Sequence, residues 1–284
     1  MIHIMVALQA EAKPLVNQYR LKGLPPLAGF RRYGNDQITL LVTGVGSVAM
    51  AAGVMALGLA GDSLVKSGIG QTGWLNIGIA GHQCMPLASV VVAGKITDQS
   101  SGLCWYPPQI LALELPVLPL LTVAKPVTDY PDSQLIDMEA SGYFVTACRF
   151  SVGESAQVLK VVSDNRDSNI DQLNGPAISG LIENALDPIG RLIDKLQHQL
   201  SSVADSVVSS TEVDQFLQRF RLSKSQQFQL VRLLQDYRVL TGELAGVEQF
   251  DQLHRAADLL NALEQLLLPH RRNYQLGRPD SDLA

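Results

Sequence analysis

MIHIMVALQAEAKPLVNQY, residues 1–19, sets the frame of the fold. Ile2 to Leu8 is an apolar, β-rich run, and Ala10 to Tyr19 carries apolar residues at helical spacing. The pattern repeats outward from this stretch. Ile38 to Thr43 reads as a strand ending at Gly44, and Ser47 to Ala60 as a helix rich enough in alanine and glycine to lie close to a sheet. Trp74 to Ile79 reads as a central strand, Ala88 to Ala93 as a further one, and Leu135 to Arg149 as a helix. Gln157 to Val162 is expected to be the last core strand. Ile178 to Leu200 would be the closing helix, bent at Pro188 because proline lacks an amide proton and crowds the preceding turn. Such alternation implies an α/β fold, a central mostly parallel or mixed sheet flanked by helices.

The composition then changes. Residues 1–200 are expected to form one domain, residues 201–211 a serine-rich linker, and residues 212–284 a C-terminal helical extension. Leu233, Tyr237, Leu240 and Leu244 share one helix face, as do Leu253, Ala257, Leu260, Leu263 and Leu267. Packing explains these stripes without any cofactor. Pro269 is expected to stop the last helix, leaving a polar tail from His270.

Composition excludes several classes of function. The 22 basic and 27 acidic residues leave a formal charge of -5, whereas a general nucleic-acid surface needs a basic stripe. Leu111 to Val123 is apolar, but Glu114, Pro116 and Pro119 interrupt it, so no run reaches the roughly 20 residues that span a bilayer. The N-terminus lacks the basic region and cleavage site of a signal peptide. Cys84, Cys104 and Cys148 are an odd number without metal-site spacing. A cytoplasmic protein is expected, with no metal, no cofactor, and no nucleic-acid or membrane partner.

Ligands of open parallel sheets sit beyond the carboxyl ends of the strands. Four polar or glycine-rich segments fall there: Gln9-Ala10-Glu11, Gly44-Val45-Gly46-Ser47, Gly78-Ile79-Ala80-Gly81-His82 and Ser163-Asp164. The second is no dinucleotide fingerprint, because Ala49 occupies the place of the third glycine. It reads either as a tight turn or as a row of amides offered to a ligand. Glu139 stands among Met138, Ala140, Tyr143, Phe144, Val145 and Ala147, and a buried carboxylate there needs hydrogen-bond donors. Paired sugar hydroxyls, a lysine or a capping arrangement would each serve.

Five segments, in order, resemble the 5'-methylthioadenosine/S-adenosylhomocysteine nucleosidase branch of the purine nucleoside phosphorylase superfamily. They are VALQAEAKPLV (6–16), TGVGSVAM (43–50), NIGIAGH (76–82), LIDMEASGYF (135–144) and KVVSDNRD (160–167). The resemblance implies cleavage of the N-glycosidic bond of a purine nucleoside or thionucleoside, and a homo-oligomer. Glu11 would activate the water, Glu139 would grip the ribose 2' and 3' hydroxyls with Met138 against the sugar, and Asp164 would protonate or hydrogen-bond the purine N7. Ser163 would lie beside it in the base site. Gly46 and Ser47 would lie near the sugar and the nucleophile, and Gly78 and Gly81 along the base side.

Two departures bear on this reading. His82 replaces a second glycine common in the family, which would be costly in a left-handed backbone and would put a ring near the pocket. Thr97 to Gln134 is short and proline-rich compared with the family. Trp105 or Tyr106 there would either stack on the base or pack a shortened loop. Two alternatives to hydrolysis follow. One is a phosphorylase using Arg31, Arg32 or a partner's residue for phosphate, and the other is a catalytically weak nucleoside-binding or interaction protein.

Overall fold

The computed structural model describes residues 1–60, 72–127, 130, 133–168, 173–204 and 210–275. It divides into two units, one comprising Met1–Ala60 and Thr72–Ser201, the other, among the described residues, beginning at Ser202.

In the first unit the elements run β1 (Ile2–Val6), α1 (Gln9–Gln18), β2 (Lys22–Leu27), β3 (Phe30–Gly34), β4 (Ile38–Val42) and α2 (Ser47–Ala60). They continue through β5 (Gly73–His82), β6 (Val90–Asp98), β7 (Cys104–Trp105), β8 (Val117–Thr122) and β9 (Leu135–Asp137). α3 (Ala140–Ala147), β10 (Ala156–Asp164), α4 (Gly175–Asn184) and α5 (Leu186–Ala204) follow. The expected α/β architecture is present, as a mixed sheet with flanking helices.

β5 is the pivot. It pairs in parallel with β10 along one edge, from Trp74 to Gly81. On its other edge it pairs first with β1, over Gly73 to Asn76, and then antiparallel with β9 at Gly81 and His82. That second edge is therefore forked, with β1 leaving before β9 arrives. β9, β8, β6 and β10 continue the pairing round to β5, so these five strands close on themselves. β1 carries the open remainder, β4, β3 and β2.

Ile4, Leu75, Ile77 and Leu159 on the sheet bury against Ile182, Ile189, Leu192 and Leu196 of α4 and α5. Each such side chain contributes about 1.5–3 kcal/mol when fully buried. α2 lies close to β4, where a Cβ at Gly53 would stand 2.5 Å from the Thr43 methyl. α3 meets the start of α2 at Gly142, whose Cβ would fall 2.0 Å from the Ser47 carbonyl oxygen.

Two expectations are corrected. Leu135 to Asp137 is strand β9, and helix α3 begins only at Ala140. Residues 178–200 do not form one helix bent at Pro188, because α4 ends at Asn184 and α5 starts at Leu186. Pro188 sits in the first turn of α5, where the missing amide proton costs no internal hydrogen bond. The edge strands β2 and β3 and the proline-containing β8 lack the alternation that would announce them.

The second unit holds α6 (Ser210–Arg219), α7 (Lys224–Thr241) and α8 (Ala256–Gln275). Its own core gathers Phe216, Phe220, Leu230, Leu234, Leu260 and Leu263. Ser223 caps α7 through the Gln226 amide, the Gln226 side chain returns a bond, and Gly242 ends the helix at φ 74°. Leu244 falls beyond α7 and Ala257 is exposed, so each stripe is shorter than expected. Pro269 lies inside α8 rather than ending it. α5 runs to Ala204 and α6 begins at Ser210, so both ends of the expected linker are helical and residues 205–209 lie outside the described residues.

Candidate functional site

A cavity of about 280 Å³ opens beside the fork in β5. Ile79, Ala80 and Gly81 form its β5 wall, and Glu11, Met138, Glu139, Ser163 and Asp164 reach it from three other segments. Leu8, Val45, Val127 and Ile178 add apolar surface.

Glu11 lies in the first turn of α1, directly after β1. Its Oε2 accepts the backbone N–H groups of Ala7 (2.9 Å) and Leu8 (2.8 Å), and its Oε1 accepts that of Ile79 (3.1 Å). Ile79 has its amide on the forked edge, so the carboxylate takes the place of a missing strand. Burial pushes Glu11 above the usual carboxylate range, against the Leu8 amide, Lys160, and the Ile79 and Ala7 amides. Gly78 makes room behind it, since a Cβ there would stand 2.9 Å from Glu11 Oε1 and 3.4 Å from Lys160 Nζ.

Lys160 is buried at 1% exposure, and its ammonium lies 2.9 Å from Asp137 Oδ2. Burial draws its pKa down, but Asp137, Glu139 and Glu11 more than reverse this and hold it above its usual value. Asp137 also accepts Thr122 Oγ1 and the Ala140 amide, which ties β8, β9 and the start of α3 together. Glu139, 7% exposed, accepts the Gly46 amide at 2.8 Å. Its side chain makes no cap on α3. Burial raises its pKa to about 7, with Asp137 and Glu11 adding to the shift and Lys160 and the Gly46 amide opposing it.

At the other end of the cavity, Asp164 closes β10. Its Oδ1 accepts the Ser163 hydroxyl and its Oδ2 the Tyr130 hydroxyl. Both residues are almost wholly buried.

Thus Glu11, Met138, Glu139, Ser163, Asp164 and Gly81 meet in one cavity. Gly46 acts through its amide and Gly78 through the space it leaves, while Ser47 opens α2 with its carbonyl against Gly142. His82, Trp105 and Tyr106 are not among the described lining residues. His82 ends β5 without positive φ, and its Nδ1 accepts the Cys84 and Met85 amides at 3.2 and 3.1 Å, folding the next turn. Burial holds its pKa below the usual histidine value. Trp105 is paired to Ile96 in β7, and Tyr106 is exposed. The aromatic side chain on the cavity is Tyr130, and the cation beneath it is Lys160; the sequence reading singled out neither. Unbroken apolar neighbours on β10 were the available sign for Lys160. Among the described residues, no group of three or more histidine, cysteine, aspartate or glutamate side chains is arranged to hold a metal ion.

No protein-family model matches the sequence, and no curated protein matches it. Solved structures do match. A 5'-methylthioadenosine nucleosidase from Arabidopsis thaliana is similar at 18% identity and a TM-score of 0.56, over 69% of this chain and 95% of that one. A Helicobacter pylori nucleosidase variant with 5'-methylthioadenosine in its active site gives 15% and 0.54, over 68% and 98%. A Helicobacter pylori futalosine hydrolase mutant gives 14% and 0.54, over 68% and 98%. The chain carries the fold that these nucleosidases share.

Proposed function

We propose that the protein hydrolyses the N-glycosidic bond of a purine nucleoside or thionucleoside, releasing the free base. The observation that carries this reading is the meeting of Glu11, Glu139 and Asp164 around one cavity from three separate segments. Cleavage passes through an oxocarbenium-like sugar. It requires a held sugar, a stabilised leaving base and a nucleophile. Glu139 accepts the sugar hydroxyls, Glu11 takes a proton from the attacking water, and Asp164 meets N7 of the base. Lys160 keeps the carboxylates at the sugar end from repelling one another. A structural neighbour that holds 5'-methylthioadenosine in its active site is consistent with a substrate of this class.

Electrostatics favour water over phosphate. Four carboxylates line the cavity, and its described lining contains no lysine, arginine or histidine. Lys160 is already paired to Asp137 beneath the cavity, so phosphate would meet no cation on the described lining to offset its charge. Arg31 and Arg32 lie on β3, away from the described lining.

Release of free base across a panel of purine nucleosides, with and without phosphate, tests the proposal. Phosphate-independent release is expected. A requirement for phosphate would make the protein a phosphorylase, and binding without turnover would make it a nucleoside-binding protein.

We also propose that the chain works as a homo-oligomer. Val48, Ala52 and Leu59 line the outer side of α2 and are exposed, with Val45 at the cavity mouth beside them. Sedimentation of the wild type and of Val48→Glu is the check, with a shift to monomer expected in the variant.

A further inference from the structure

Asp164 is 2% exposed at the end of β10, and each of its oxygens accepts one protein hydroxyl, Ser163 on Oδ1 and Tyr130 on Oδ2. A carboxylate offers about four lone-pair sites, so two remain for a ligand. The terminal torsion of an aspartate is broad and roughly two-fold, and by itself does not hold those sites in one direction. With a donor on each oxygen, rotation must break both bonds.

The two donors differ in what fixes them. Ser163 is the neighbouring residue on the same strand, and its hydroxyl also reaches the Ala80 carbonyl at 3.3 Å. Tyr130 comes from elsewhere in the chain and is 4% exposed. Its ring packs with Val123 and Ile136 and lies against Gly81, where a Cβ would fall 2.6 Å from the ring Cε1. A rigid, packed ring therefore sets where the hydroxyl stands. Burial, and then the bond to Asp164, push the phenol above its usual pKa, so it remains a donor.

We propose that Tyr130 is a positioning residue for the leaving-group end of the site, its hydroxyl and that of Ser163 holding Asp164 in one orientation with its remaining lone pairs turned to the cavity. The reaction it serves rests on the nucleosidase reading above. The pairing itself stands on the geometry. Gly81 is then glycine because the tyrosine ring needs the space, and the site's aromatic group acts through its hydroxyl.

The test uses the full chain with Tyr130→Phe, which keeps the ring and removes only the hydroxyl, and with Ser163→Ala as a second variant. Losing one charge-assisted hydrogen bond should lower kcat for base release about tenfold while KM stays within about twofold. In an Asp164→Asn background the same substitution should change kcat less than about twofold, because the carboxylate to be positioned is gone. Unfolding of the wild type, Tyr130→Phe, Asp164→Asn and their double variant without ligand should be non-additive. Additive unfolding, unchanged kcat in Tyr130→Phe, or a lower KM (the ring standing where the base must go) would each overturn the proposal. Absence of turnover in the wild type would overturn the nucleosidase reading, and the unfolding cycle would still decide whether the phenol holds the carboxylate.

Discussion

Glu139 sits close to its own titration point because it is buried beside two other carboxylates and shares one ammonium with them. Its pKa is raised from 4.5 to about 7, so the folded protein binds its proton more tightly than the unfolded chain. The resulting stabilisation is full below about pH 4.5 and is lost as pH rises through about 7. Glu139→Gln removes the cost of the charge, so at pH 8 it should melt no lower than wild type. It should nonetheless bind nucleoside about tenfold or more weakly, as loss of a charged hydrogen-bond acceptor implies. Thermal unfolding at pH 5 and pH 8, with calorimetric titration, measures both, and a large stability loss at pH 8 would contradict this account. For Asp164→Asn, steady-state kinetics should give a kcat lower by about 10²–10⁴-fold if proton delivery is its task, with affinity much less affected. At this scale the sequence was uneven. Glu139 was legible because a carboxylate in an apolar helix start demands an explanation. Lys160 was not, since a strand lysine ordinarily faces water, and Tyr130 was hidden because its partner lies 34 residues away.

Elements place these residues through two close approaches and one fork. α2 begins where the sequence put it, because Gly44 and Gly46 take positive φ and turn the chain from β4 into the helix. The fork in β5 was not legible. It depends on β9, three residues long and too short to show alternation, running directly into α3. One helical reading therefore covered both. Gly142 is the other control point, since α3 can approach α2 only without a side chain there. In Gly142→Ala a Cβ would need the space of the Ser47 carbonyl, which is backbone and cannot rotate aside. Overpacking of this kind costs about 1–3 kcal/mol or more. Denaturant unfolding should show that loss. Base release should fall too, because Gly46, whose amide holds Glu139, precedes Ser47.

For the whole molecule, the two units have separate hydrophobic clusters with no residue in common. Leu263→Ala should therefore weaken the second cluster by about 2–5 kcal/mol, the usual range for a buried leucine. Denaturant unfolding followed by probes in each unit would detect it, and kcat for base release should stay within about twofold, since no described lining residue lies beyond Ile178. The ring of strands has a different consequence. A sheet that closes on itself offers no template along those strands, and the open end is blunted, since β2 carries Pro25 and Pro26, which have no amide proton to give a newcomer. β7, two residues long, is too short to seed one. Strand-by-strand growth into aggregates thus finds no ready starting edge among the described strands. Association through a helix face, as proposed for α2, would instead be able to stop at a closed number.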